Sequence, residues 1–145
     1  MQHTIRKRIL GIDYGTRRIG LAKSDPFGTF AQPAGTFGPD TILSAIEHER
    51  NAHPVETIVV GYPLNRDGTH NSMTDVVDRF ITLLKETFPD LSIKTIDEHG
   101  SSKQAQRLLV QSGLSRKKRQ QKGRLDSAAA CLLLQNYLDT FDNAP

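Results

Sequence analysis

Three acids, Asp13, Glu98 and Asp126, stand where carboxylates are costly or unexpected. Asp13 closes the apolar run Ile9-Leu10-Gly11-Ile12, with glycines at positions 11 and 15. A carboxylate in an apolar strand is expensive to desolvate unless something positive meets it. The glycines leave room for a ligand to approach the backbone. Glu98 follows Asp97 at the end of another strand-like run, and Asp126 opens an apolar helix directly after a basic stretch. Each acid also has a plain alternative. Asp13 could cap the turn after its strand, Glu98 could simply end one, and Asp126 could complement a helix dipole, worth roughly 0.3–1 kcal/mol.

What favours chemistry is the distribution of the three acids over the ends of separate elements, since such ends can converge on one sheet edge. Converging carboxylates repel, at about 4 kcal/mol per pair for a separation of about 4 Å and an effective dielectric near ~20. A divalent cation relieves that repulsion. Oxygen ligands without His or Cys partners favour Mg2+ or Mn2+ over zinc. Two such ions about 3.5–4 Å apart activate water and stabilise the leaving oxygen of a phosphodiester. The expectation is a metal-dependent phosphodiester hydrolase, with Asp13, Glu98 and Asp126 as both metal ligands and catalytic acids.

The elements that must position these acids follow from hydrophobic period and turn residues. Ile9–Asp13 and Ile19–Ala22 read as two strands of a tight hairpin. Residues Gly28–Phe37 supply a third strand, with Pro33 placing it at a bulge or edge. Pro39 suits the first turn of a helix through about Ala52, with Ile42, Leu43 and Ile46 inward. Thr57–Gly61 is continuous and β-branched, as a strand buried on both faces should be. Tyr62–His70 reads as a loop. Ser72-Met73-Thr74-Asp75 resembles a capping box, ahead of Val76, Val77, Phe80, Ile81 and Leu84 at helical spacing. Leu91–Glu98 forms a strand, Ser101 or Ser102 caps a helix ending at Gly113, and Leu114–Gly123 is a basic, mobile loop. The last helix runs from about Leu125 to Tyr137. Strands alternating with helices imply parallel pairing with right-handed crossovers, and the opening hairpin adds antiparallel partners. The expected architecture is α/β, one mixed five-stranded sheet with helices on both faces.

The chain has 145 residues and is 37% hydrophobic, enough for one domain, expected to span 1–145, with a core of its own. A single cysteine, Cys131, excludes an internal disulfide and reads as a core residue of an apolar helix. No apolar run near the N-terminus resembles a signal peptide, and none approaches the roughly 20 residues of a membrane helix. A cytoplasmic location is the default expectation. The formal net charge is only +3, but six of the 19 Lys and Arg fall between Arg116 and Arg124. Arg6, Lys7 and Arg8 form a second cluster, and Arg17 with Arg18 a third. Clustered positive charge fits a polyanion partner, against the plain alternative of a solvated surface. Thr16, Arg17 and Arg18 follow Asp13 closely enough to contact phosphate. Arg116, Lys117, Lys118, Arg119 and Lys122 are expected to contact a nucleic-acid backbone. Tyr62 could stack on a base or simply pack.

The order Gly11-Ile12-Asp13-Tyr14-Gly15-Thr16-Arg17-Arg18-Ile19-Gly20 closely resembles the opening motif of the YqgF/RuvX family, known as pre-16S ribosomal RNA nucleases and as Holliday junction resolvases. Gly61-Tyr62-Pro63-Leu64-Asn65-Arg66-Asp67-Gly68 resembles the family's second motif, and Lys122-Gly123-Arg124-Leu125-Asp126-Ser127-Ala128-Ala129-Ala130 its last. The likeness runs in order along nearly the whole chain. It implies a ribonuclease H-like fold and catalytic acids at Asp13, Glu98 and Asp126. One departure concerns Asp97-Glu98-His99-Gly100-Ser101-Ser102, where the family usually has Arg after the acids. His99 would steady a phosphate less well at neutral pH.

Two rivals come from other classes. Asp13-Tyr14-Gly15-Thr16 also resembles the first phosphate motif of actin-like ATPases, but the chain is too short for their two domains. A nucleic-acid-binding module without catalysis would have no need to assemble three carboxylates. For the nuclease, precursor 16S ribosomal RNA is the expected substrate over branched DNA. A junction resolvase needs a stable dimer with two sites, and the apolar stretches are all assigned to the core, which favours a monomer.

Overall fold

The computed structural model describes residues 5–97 and 122–142, with only the backbone course for 122–126 and 141–142. Five strands form one sheet: β1 Arg8–Tyr14, β2 Ile19–Ser24, β3 Ala31–Phe37, β4 Val55–Tyr62 and β5 Ser92–Asp97, in the order β3-β2-β1-β4-β5. β1 pairs antiparallel with β2 and parallel with β4, β2 pairs antiparallel with β3, and β4 pairs parallel with β5. The sheet is mixed, as the alternation of hairpin and crossover segments requires.

Two-residue alternation sorts side chains onto two faces. On one face Leu10, Ile12, Ile19, Leu21, Ile58 and Val60 pack against α1 (Ile42–Ala52) and α2 (Ser72–Thr87) through Ile42, Ile46, Val77, Phe80 and Leu84. On the other, Ile9, Ala22 and Val59 pack against α3 (Lys122–Tyr137) and the π-helical turn Leu138–Asp142 that continues it, through Ala130, Leu134, Tyr137 and Leu138. Helices therefore cover both faces, and β1 and β4 at the centre read as unbroken apolar runs for that reason.

Several boundaries differ from the sequence expectation, each for a local reason. α1 starts at Ile42, not at Pro39, because the Gly38 carbonyl accepts from the backbone N–H of both Thr41 and Ile42, closing a turn. The Thr41 hydroxyl reinforces that turn by accepting from the Gly38 N–H, 3.0 Å away. The capping box of α2 is built on Asn71 rather than Ser72. The Asn71 side chain accepts from the N–H groups of Met73 and Thr74, and the Thr74 hydroxyl accepts from the Asn71 N–H. Asn71 outcompetes Ser72 because its amide also donates to the Pro63 carbonyl and to Asn65. β3 is an edge strand beginning at Ala31, and the ladder register shifts between Leu21 and Ala22, the latter opposite Pro33. Pro33 is thus at both the edge and the irregularity its missing N–H calls for. α3 begins at Lys122, so the end of the expected basic loop, Lys122 and Gly123, is helical. The helix expected over Ser101–Gly113 lies outside the described residues.

Candidate active site

Because Leu10 and Ile12 face α1 and α2, the odd-numbered Ile9, Gly11 and Asp13 face α3. Tyr14 returns to the first face and packs on Phe80, ring centroids 4.4 Å apart. Asp13 is half-buried near the C-terminal end of β1. Across the β1–β2 ladder it opposes Gly20, which shares α3's face with Ala22. On β4, one step beyond the Ile12–Val60 pair, Gly61 comes beside it on that same face. Asp13 is therefore flanked on both neighbouring strands by residues with no side chain. Sequence reasoning noticed Gly11 and Gly15, on Asp13's own segment, and missed Gly20 and Gly61. Their signal is the same alternation, but it becomes readable only once the strand pairing is known.

Gly11 sets how closely α3 approaches. A methyl group there would lie 2.8 Å from Leu134 Cβ and 3.2 Å from the Ala130 carbonyl oxygen. The helix thus crosses β1 on its backbone between Ala130 and Leu134. Its direction is fixed by Gln135, whose side-chain oxygen accepts from the Ala31 N–H at 2.9 Å and whose amide donates to the Thr29 carbonyl at 3.0 Å. Ala31 pairs with Ser24 at the end of β2, beside the start of β1. The C-terminal part of α3 therefore lies over the start of β1, and its N-terminal turns run towards Asp13. From Ala130 back to Asp126 is one helical turn, about 6 Å. From Gly11 forward to Asp13 is two strand residues, about 6.6 Å. The backbone of Asp126 consequently reaches the level of Asp13.

β5 ends on the same edge, with Asp97 opposite Tyr62. Glu98 lies outside the described residues, as do His99, Arg116, Lys117, Lys118 and Arg119. Among the described residues no group of three or more His, Cys, Asp or Glu is placed to hold a metal ion. Of the three expected ligands, only the Asp13 side chain falls within that search. The donor chemistry of the three fits a hard cation, since all are carboxylates, and the residues beside Asp13 on both neighbouring strands are glycines.

Two loops rise from this edge on either side of β1. The β1–β2 turn is so tight that a methyl group on Gly15 would meet the Arg18 carbonyl oxygen at 2.5 Å. It presents Thr16, Arg17 and Arg18 to solvent. The β4–α2 loop is braced from within. The Asn65 N–H donates to the Thr69 carbonyl at 2.9 Å and the Gly68 N–H to the Asn65 carbonyl at 2.8 Å. The Asp67 carboxylate accepts from the Thr69 hydroxyl at 2.6 Å and its N–H at 3.0 Å, which holds the Asp67 pKa below its ordinary value. The Tyr62 hydroxyl donates to Asp78 at 2.8 Å, which keeps the phenol protonated to higher pH than usual. Tyr62 is therefore a packed, hydrogen-bonded residue against the α1–α2 face. Arg6, Lys7 and Arg8 lie at the opposite end of the sheet, where the Arg8 guanidinium donates to the Ser24 carbonyl at 2.5 Å. They do not join the Asp13 edge. The chain has no described helix long and apolar enough to cross a membrane.

Among solved structures, the fold is similar to a fowlpox virus resolvase crystallised with substrate Holliday junction DNA. The TM-score is 0.58 at 13% identity, covering 92% of this chain and 97% of that one. It is also similar to RuvC of T. thermophilus in complex with a Holliday junction substrate, with TM-score 0.54, 15% identity, and 94% and 97% coverage. At such identities the likeness establishes the fold, which is ribonuclease H-like. The sheet of this fold carries an acid, Asp13, at the end of its central first strand, on the face covered by α3. The chain belongs to the RuvX family, whose model, described as Holliday junction resolvase, matches residues 7–140. A relative from Chlorobium phaeobacteroides is 62% identical over 95% of this chain and 96% of its own length. One from Salinibacter ruber is 39% identical over 91% and 92%. Both carry the name "Putative pre-16S rRNA nuclease".

Proposed function

We propose that residues 1–145 act as a single nuclease domain that hydrolyses phosphodiester bonds in precursor 16S ribosomal RNA in the cytoplasm, with Asp13, Glu98 and Asp126 binding Mg2+ or Mn2+. The observation that carries this reading is the close crossing at Gly11, which brings the first turns of α3 to the level of Asp13. Asp126 stands one turn before Ala130, and Glu98 directly follows Asp97 in the sequence, the last residue of β5, which ends on the same edge as Asp13. When bound, the metal would lower the pKa of a water and neutralise charge on the phosphate. Asp13 supplies a carboxylate whose position is fixed by the central strand, so little is lost in ordering it. Thr16, Arg17 and Arg18 hold the substrate backbone beside it. Arg116, Lys117, Lys118, Arg119 and Lys122, which precede Asp126 in the sequence, supply further contacts to the substrate backbone.

RNA is favoured over four-way DNA because junction resolution requires two sites in a dimer. The expectation that all apolar stretches enter the core holds for β1, β2 and β4 but not for the β2–β3 turn. Phe27 and Phe30 are exposed there, near Ile5. These residues sit at the end of the sheet away from Asp13, and we keep the monomer as the working state. The test incubates the protein with precursor 16S RNA and with a four-way junction under the same Mn2+ and salt, alongside Asp13→Asn. Site-specific RNA cleavage, lost in the variant while its fold is kept, is the expected result. Symmetric paired nicks in the junction with the RNA left whole would overturn the substrate. Full activity in Asp13→Asn would remove Asp13 from catalysis.

A further inference from the structure

The β4–α2 loop uses almost every polar side chain it has on itself. Asn65, Asp67, Thr69 and Asn71 are bonded to one another or to loop backbone, and Asn71 also caps α2. Arg66 and His70 are the exceptions, and the His70 ring packs edge-on against Tyr62, centroids 5.7 Å apart. Arg66 is exposed, and among the described residues no side chain or carbonyl pairs with it. The carboxylate next to it, Asp67, is turned onto Thr69. Arg66 is thus an exposed cation on a braced loop, with its neighbouring carboxylate engaged elsewhere.

Its position gives it a use. The loop leaves the C-terminal end of β4, and the Gly15–Arg18 turn joins β1 to β2. β2 and β4 flank β1 and are about 10 Å apart. Arg17 and Arg18 therefore rise on one side of Asp13 and Arg66 on the other, all on one edge of the sheet. We propose that Arg66 binds a backbone phosphate of the substrate strand, which crosses the sheet edge over Asp13 from the β1–β2 turn to the β4–α2 loop. This rests on the nuclease reading and adds to it the path of the strand and a second anchor. Loop bracing serves that role directly, because a pre-positioned guanidinium loses little freedom on binding. The guanidinium fork suits two oxygens of one phosphate.

The experiment measures binding of a fluorescent single-stranded oligoribonucleotide to Asp13→Asn protein, which is expected to bind without cutting, over about 50 to 200 mM salt. Adding Arg66→Ala should weaken binding about tenfold at the low-salt end, the scale of one charge-assisted hydrogen bond. The log–log salt slope should fall by roughly 0.7, the value for one phosphate contact on a single strand. Arg66→Lys should keep the slope and recover part of the affinity, and neither change should move Tm. Unchanged affinity and slope in Arg66→Ala, with RNA still bound by the parent, would overturn the proposal and leave the nuclease reading standing. A loss of affinity accompanied by a lowered Tm and an unchanged slope would make Arg66 structural and equally overturn it. A parent and wild type that bind neither RNA nor a four-way junction would overturn the nuclease reading itself.

Discussion

Replacing Gly11 with alanine tests whether the spacing between α3 and β1 assembles the site. The added methyl would sit 2.8 Å from Leu134 Cβ and 3.2 Å from the Ala130 carbonyl oxygen. Ordinary carbon–carbon contact is about 3.5–4.0 Å, so helix and strand must separate by roughly 1 Å. Neither contact is the far end of a flexible side chain, so no rotamer change relieves them. Overpacking of this kind costs about 1–3 kcal/mol. In a domain of this size that lowers Tm by roughly 3–10 °C. The same displacement carries Asp126 away from Asp13, and about 1 Å of misplacement can cost roughly a hundredfold in turnover. The assay pairs thermal melting with single-turnover cleavage of precursor RNA at saturating Mn2+. Gly11→Ala should fall in both, and adding Leu134→Ala should not rescue it, because the Leu134 Cβ remains. A variant with wild-type Tm and wild-type turnover would refute the claim that this crossing sets the geometry.

Other expected outcomes concern the metal, the basic run and the thiol. Mg2+ or Mn2+ should raise Tm by binding the native state, and Asp126→Asn should largely erase the rise; an equal rise in both proteins would put the metal elsewhere. Replacing Arg116, Lys117, Lys118 and Arg119 together with alanine should weaken binding to all RNA sequences and flatten the salt slope, by roughly 0.7 per lost contact on a single strand. An unchanged slope would reduce that run to a solubilising segment. Burial pushes the Cys131 thiol up to about 11. Native protein near pH 8 should therefore resist alkylation, and reagent uptake as fast as in unfolded protein would contradict the packing of α3 against the sheet.

Much of the fold was legible because its signals are local. The apolar runs at Ile9–Asp13 and Thr57–Gly61, the hairpin turn and the helical spacing from Val76 to Leu84 each announce one element. Helix starts were less legible, since Thr41 and Asn71 make side-chain bonds whose partners, Gly38, Pro63 and Asn65, become visible only in three dimensions. Asp13 stood out as a charge in an apolar strand. Gly20 and Gly61 did not, because a glycine matters there through the residue on the adjacent strand. The basic cluster Arg6–Arg8 was legible in composition, but only the topology shows that it lies at the end of the sheet away from Asp13.

The crossing of α3 over the opening hairpin also orders events during synthesis. β1 through β5 are complete once Asp97 has been made, yet the helix that covers Ile9, Ala22 and Val59 ends at Tyr137. At about 5–20 residues per second, the intervening stretch of roughly 40 residues takes about 2–8 s. Through that interval one whole face of the sheet has no α3 to cover it, a surface on which chaperones would act. On the proposed reading, Asp126, carried by this same late helix, joins Asp13 only as that face is sealed. A nascent or truncated chain would therefore expose apolar surface, and on the proposed reading the capacity to cut would arrive together with the finished core.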